Sequence, residues 1–217
     1  MGTIQFILSI LPLLLQGAVV TLELTLSSFF LGTILGLFLA LMKITKISFF
    51  RKIAGFYIWF FRGVPLIVQI MFIFYGLGSI GIKLDRLPAG VLAMSLCGAA
   101  YIAEIIRAGI QSIEKGQMEA ALSLGMTYSQ AMRRIIIPQT YRRLVPPMCN
   151  EFILLLKDAA LVAVIGGREL LRVGQTLDSA YFRSLEIYGA VALVYLFLTT
   201  IFTIIFDKIE NRFAIYE

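Results

Sequence analysis

IQFILSILPLLLQGAVVTLELTLSSFFLGTILGLFLALM, Ile4 to Met42, carries a single charge, Glu23. A helix over this whole run would be about 57 Å long, nearly twice the ~30 Å hydrocarbon core of a bilayer. The run is therefore expected to bend or divide. Pro12 and Gly17 point to a short interfacial segment followed by one span from about Gly17 to Met42, with two very short spans as the other arrangement. No basic segment precedes the run and no clear cleavage site follows it, so a removable signal peptide is not expected.

The rest of the chain has the same character. Of its 217 residues 59% are hydrophobic and only 15% charged. A water-soluble domain of this length needs far more charged surface, whereas lipid accepts apolar side chains on the outside. Apolar residues come in unbroken runs rather than in alternation, which selects membrane helices over a membrane barrel. Cys97 and Cys149 lie in or beside apolar stretches, form no CxxC pair and read as small apolar residues. Histidine is absent, which disfavours zinc hydrolases, haem proteins and histidine acid–base chemistry.

After Met42 come four basic residues, Lys43, Lys46, Arg51 and Lys52, then an aromatic stretch from Phe56 to Phe61 that suits a membrane interface. Further spans are expected at about Gly63–Ile82, Leu87–Ile106, Leu144–Ile165 and Ile187–Phe206, giving five in one membrane domain over residues 1–217. The loop after Gly166 is expected to hold short helices around Glu169–Val173 and Asp178–Phe182. Twelve Lys and Arg fall in the 43–52 loop, the 107–143 segment and the tail, against five on the other side. The richer side is expected to be cytoplasmic, with the N-terminus outside and the C-terminus inside. The net charge of +6 is then a topology signal, not a nucleic-acid footprint.

Between the third and fourth spans the chain reads Glu119-Ala120-Ala121-Leu122-Ser123-Leu124-Gly125, then nine residues, then Ile135, Ile137 and Pro138. Glu119 to Leu124 favours a short helix, and its two alanines let another surface approach closely. Gly125 can take positive φ and end that helix, and Pro138 stops or bends the next. Physically the segment is either a docking helix or a plain re-entrant connector.

In sequence it resembles the EAA loop, here about 117–138, of permease subunits of binding-protein-dependent ABC importers; only Ile137 departs from the pattern, replacing Leu. Phe61-Arg62-Gly63-Val64-Pro65-Leu66-Ile67-Val68-Gln69 and Tyr101-Ile102-Ala103-Glu104-Ile105-Ile106-Arg107-Ala108-Gly109 resemble the polar amino-acid branch of that family. The resemblance implies an all-α type I importer permease fold of five transmembrane helices in a prokaryotic inner membrane. It implies a coupling helix, with Glu119, Ala120, Ala121, Gly125 and Pro138 engaging an ATPase. The implied partners are two ATPase subunits, a second permease (a homodimer, or a heterodimer with a related chain) and an extracytoplasmic amino-acid-binding protein. ATP and magnesium would sit on the ATPase, since no Walker motif is present here, and this chain would need no cofactor or metal and be no enzyme.

Charges inside a span cost roughly 2.5–3.5 kcal/mol each on insertion scales and mark function by default. Glu151 and Asp158 are seven residues apart, about two turns, and so share one helix face some 10 Å apart along the axis. Two acids on one face suit a cation. Asp158 can instead pair with Lys157. In the resemblance, Asn150 followed by Glu151 looks like members handling basic amino acids, which gives Glu151 the role of receiving a guanidinium or ammonium group. Gly63-Val64-Pro65 opens a helix whose free N–H groups, near Val64, Pro65 and Leu66, can hold a carboxylate, with Gln69 one turn on. Glu104 and Arg107, spaced i, i+3, are expected to pair with each other.

The leading expectation is a permease for a basic amino acid, arginine first and then lysine or histidine, working by alternating access. A permease for glutamine or another polar amino acid is the nearest alternative. A small cation channel is the rival from another class, with an intramembrane enzyme last; neither needs a docking helix.

Overall fold

The protein is described here from a computed structural model covering residues 2–213. Among these residues there is no strand. The order is α1 (Thr3–Ile44), α2 (Ser48–Gly63), α3 (Leu66–Met71), a π-helical turn (Phe72–Gly76), α4 (Leu77–Ser79), α5 (Arg86–Gln111), α6 (Lys115–Ser123) and α7 (Tyr128–Ala131). A second π-helical turn (Met132–Ile136) leads into α8 (Ile137–Asp158), a 3-10 stretch (Ala159–Ile165), α9 (Leu170–Tyr181) and α10 (Ser184–Phe213).

The first run neither divides nor yields a separate interfacial segment: α1 is one helix of 42 residues with Pro12 inside it. Pro12 removes only one backbone hydrogen bond and is exposed. Phe6, Ile10, Leu14 and Ala18, each four residues on, are buried in a cluster with Leu170, Leu177, Ile187 and Val191. That tertiary contact holds the first turns of α1 in register with the rest.

The central packing is between α1 and α5. Gly32 and Gly36 put small residues one turn apart against Ala99 and Ile102, and a Cβ on Gly36 would lie 2.8 Å from Ile102 Cγ2 and 3.0 Å from the Ala99 carbonyl oxygen. In lipid, where tails are as apolar as side chains, close backbone approach at small residues supplies the attraction between helices.

The expected second span begins earlier than Gly63 and is broken. α2 and the helical stretch Leu66–Ser79 meet at 101° across Val64-Pro65. Pro65 lacks an N–H and excludes the helical conformation at Val64, which is extended at φ −99°, ψ 131°. The aromatic stretch 56–61 thus lies within α2, where the Tyr57 hydroxyl donates to the Leu96 carbonyl at 2.8 Å. The basic loop shrinks to Thr45–Ile47, because α1 and α2 take up its ends.

By length and composition, three described helices can cross a bilayer (Thr3–Ile44, Arg86–Gln111 and Ser184–Arg212), or four if the bent pair is one span. The segment expected as a further span is helical, but α8 and its 3-10 continuation carry Glu151, Lys157 and Asp158. Pro138 does not stop the chain's helix; the π-helical turn just before it absorbs the lost backbone bond. The two short helices expected after Gly166 are a single helix, α9. Its first residues are held by Leu170 N–H donating to Thr21 Oγ1 at 3.1 Å, and Gly17 gives α1 room for that approach. Residues 214–217, including Glu217, lie outside the described residues.

Candidate functional site

Three elements converge on a cavity of about 250 Å³. α8 contributes Glu151, Leu154, Leu155 and Asp158, which fall at i, i+3, i+4 and i+7 and share one face. α5 contributes Cys97, Gly98 and Tyr101, again at i, i+1 and i+4. The break between α2 and α3 contributes Arg62, Gly63, Val64, Pro65 and Leu66. Of the residues expected from sequence, Glu151, Asp158, Val64, Pro65 and Leu66 are therefore brought together.

Asn150 is not. It is exposed and lines neither this cavity nor its neighbour, because one residue along α8 is a rotation of about 100°. Gln69 also differs from expectation. It is 5% exposed, and its Nε2 donates to the Phe61 carbonyl at 2.9 Å and the Val64 carbonyl at 2.8 Å. It thus braces the bend instead of facing the cavity, while its Oε1 is buried without a partner. The Cys97 thiol lies against the same Phe61 carbonyl, at 3.6 Å.

Glu151 is 7% exposed, and no hydrogen bond or ion pair holds its carboxylate among the described residues. Asp158 is half-buried and forms no ion pair with Lys157. The two acids that share a wall are thus both left without a cation in ion-pairing contact.

A second, wider cavity of about 690 Å³ lies beside the first and shares Arg62, Tyr101 and Glu151 with it. It runs past the end of α5, where Arg107 pairs with Glu104 at 2.6 Å as expected, to Ser112 just before α6 and Arg143 of α8. At the boundary the Arg62 guanidinium lies 5.2 Å from the centroid of the Tyr101 ring. Sequence reasoning passed over Arg62 and Tyr101 as site residues. Their signal was faint: a charge directly before a Gly-Val-Pro break, and an aromatic one turn from Cys97 and Gly98.

In the 117–138 segment α6 ends at Ser123, and Gly125 takes φ +81°, the left-handed conformation that side chains resist. Thr127 and Gln130 form a reciprocal capping box that starts α7. Glu119, Ala120 and Pro138 are exposed, and Leu124 is 83% exposed, whereas Ala121 turns inward and is buried. Only one of the two alanines is therefore available to a partner surface.

Two further features lie outside these cavities. Glu169 is fully buried at the start of α9, where its carboxylate accepts from Leu171 N–H (2.8 Å), Arg172 N–H (2.6 Å) and the Tyr195 hydroxyl (2.9 Å). Burial pushes its carboxyl above the usual range, although the three donors oppose this. Cys149 lines a separate apolar groove of about 710 Å³ between α1, α8 and α10.

Residues 32–215 match the family described as binding-protein-dependent transport system inner membrane component. The chain is 39% identical over 203 residues to the arginine transport system permease protein ArtQ of Bacillus subtilis (strain 168), covering 93% of each. It is 43% identical over 208 residues to the L-cystine transport system permease protein TcyL of the same organism, covering 93% of this chain and 87% of that one. Among solved structures, an amino acid ABC transporter crystallised with histidines matches at a TM-score of 0.93 and 40% identity, over 98% of this chain and 99% of that one.

Proposed function

Given that the chain belongs to the family of inner membrane components of binding-protein-dependent transport systems, and is the permease of an amino-acid ABC importer, we propose that its small cavity takes a basic amino acid, arginine first, with lysine or histidine next. The observation that carries this reading is Glu151: a buried carboxylate with no hydrogen bond or ion pair among the described residues, lining the cavity beside a second acid, Asp158. An isolated ionised carboxylate out of water is costly unless something pairs with it. A substrate guanidinium or ammonium group is the partner that fits. The Leu66 amide, at the cavity wall where α3 opens, precedes the helix's first internal hydrogen bonds and adds a donor for the opposite end of an amino acid.

A neutral or zwitterionic substrate, glutamine or cystine among them, is the second reading, favoured by the higher identity to TcyL. Transport by the reconstituted permease, with its ATPase and binding protein, of arginine, lysine, histidine, glutamine and cystine decides between the two. Uptake of arginine above the neutral amino acids is expected; uptake of glutamine or cystine alone overturns the basic reading.

The mechanism follows the family. A binding protein outside delivers the amino acid to a pair of permeases, and two ATPase subunits, which hold ATP and magnesium, drive closure. Five spans per chain, the fourth being α8 with its 3-10 continuation, put the N-terminus outside and the C-terminus in the cytoplasm, on the basic-residue asymmetry. Two permease copies supply the two halves of a rocking interface, since this chain shows no internal repeat. α6 with Glu119, Ala120 and Gly125 is the ATPase contact. Gly125→Val places a β-branched residue at φ +81° and strains the end of α6. ATP-driven uptake is expected to fall several-fold while membrane insertion persists; normal ATPase association and uptake in this variant remove Gly125 from that role.

A further inference from the structure

Arg62 is the charged group that neither the sequence reading nor the family description uses. It sits in the last turn of α2, directly before the break, and lines both cavities. Its guanidinium lies over the Tyr101 ring, yet it forms no ion pair among the described residues. Glu104, which lines the wider cavity with Glu151, is already held by Arg107 at 2.6 Å. The small cavity therefore presents three charged groups without an ion-pair contact among the described residues: two carboxylates on the α8 wall and one guanidinium at the break.

An amino acid with a cationic side chain carries three charges of the opposite signs, an α-ammonium, a side-chain cation and a carboxylate. The α8 wall repels the carboxylate, because both of its charges are negative. Of the groups lining the small cavity, Arg62 alone carries a positive charge. A guanidinium is also the side chain suited to a carboxylate, because its planar fork gives two parallel charge-assisted hydrogen bonds. The Tyr101 face holds that plane in place without occupying its N–H donors.

We propose that Arg62 is the carboxylate receptor of the small cavity, and that it fixes which end of the amino acid faces the break. The inference rests on the reading that an amino acid occupies this cavity, but not on that amino acid being basic. Its position at the boundary of the two cavities gives it a further consequence. A substrate leaving through the wider cavity passes Arg62 carboxylate-end first, where Arg107 and Arg143 line the way.

The test measures direct binding by calorimetry to the intact permease–ATPase complex in nanodiscs, with the binding protein left out so that its own selectivity does not enter. Arginine is compared with agmatine, which is arginine without its carboxylate, and glutamine with γ-aminobutyramide, related to it in the same way. The wild type is expected to prefer the carboxylate-bearing member of its pair by roughly 10- to 100-fold, the range of a charge-assisted contact. Arg62→Gln is expected to weaken that member to the level of the decarboxylated one, whose own binding stays unchanged. Arg62→Lys keeps the charge but loses the fork, and is expected to retain part of the preference.

An Arg62→Gln complex that keeps the full preference, or that loses both members of the pair equally, overturns the proposal. So does a wild type with no preference for a carboxylate. If glutamine binds and arginine does not, the basic reading fails while Arg62 is still judged on the glutamine pair. Absence of binding by every amino acid overturns both.

Discussion

Glu169 and Glu151 are both buried, at 0% and 7% exposure, and both sit on helices that pack into the body of the chain. Around Glu169 three donors converge on the carboxylate, two backbone N–H groups of its own helix and the Tyr195 hydroxyl. Around Glu151 no donor is in place, and the carboxylate opens on two cavities. The first arrangement ties α9 to α10, while Thr21 of α1 takes the next free N–H. The second leaves a charge waiting. Burial alone therefore does not identify a functional acid; burial without a partner, beside space, does.

The largest effect is expected where the charge waits. Glu151→Gln keeps size and hydrogen bonding but removes the charge, so arginine binding should weaken by about 1.5–3 kcal/mol, roughly 10- to 100-fold. The unfolding midpoint of the complex should stay level or rise, because an uncompensated buried charge is gone. Equal loss of arginine and glutamine uptake would make Glu151 structural and erase the contrast with Glu169.

Glu169→Ala should act the other way round. It strips a helix cap and orphans the Tyr195 hydroxyl, at a cost of about 1–2 kcal/mol of stability. Affinity for arginine, measured per folded complex, should not change. A drop in affinity with unchanged stability would place Glu169 in the transport path.

Asp158→Asn should be milder than either. Asp158 is only half-buried, so solvent screens it, and about 1 kcal/mol, roughly fivefold in arginine affinity, is expected. An effect equal to that of Glu151→Gln would make the two acids equivalent.

The smallest effect sharpens the comparison through pH. The Glu169 carboxyl is raised in the folded chain, chiefly by burial. Its contribution to stability is then fully present below the ordinary carboxylate range and is lost as pH rises through the raised folded value. Glu169→Gln should flatten that part of the stability profile in thermal unfolding scans, and an unchanged slope would assign it to other groups.

The sequence made much of this visible because lipid demands unbroken apolar runs and because α8 spaces its acids by two turns. The positions of Glu151, Asp158 and Val64–Leu66 in one cavity follow from those periodicities and from the chemistry of Pro65. What stayed hidden depends on contacts between distant segments. The undivided α1 needs α9 and α10 to steady its first turns. The 101° bend needs the Gln69 amide to satisfy the Phe61 and Val64 carbonyls. Asn150 belongs with Glu151 only through the family resemblance; one residue along a helix is a rotation of about 100°, so the two do not share a face. Arg62 and Tyr101 are 39 residues apart, and nothing local announces that they meet.

Cys97 lies in the wall of the small cavity, and Cys149 in the apolar groove between α1, α8 and α10. The chain thus comes with two thiols in places of opposite polarity and no others to confuse them. A cationic methanethiosulfonate should be drawn to Cys97 by the two acids beside it and should be slowed by bound arginine. An uncharged, greasy maleimide should favour Cys149 and ignore the amino acid. Occupancy of the site can then be followed as a labelling rate on the unmodified protein, read by mass spectrometry, without a transport assay.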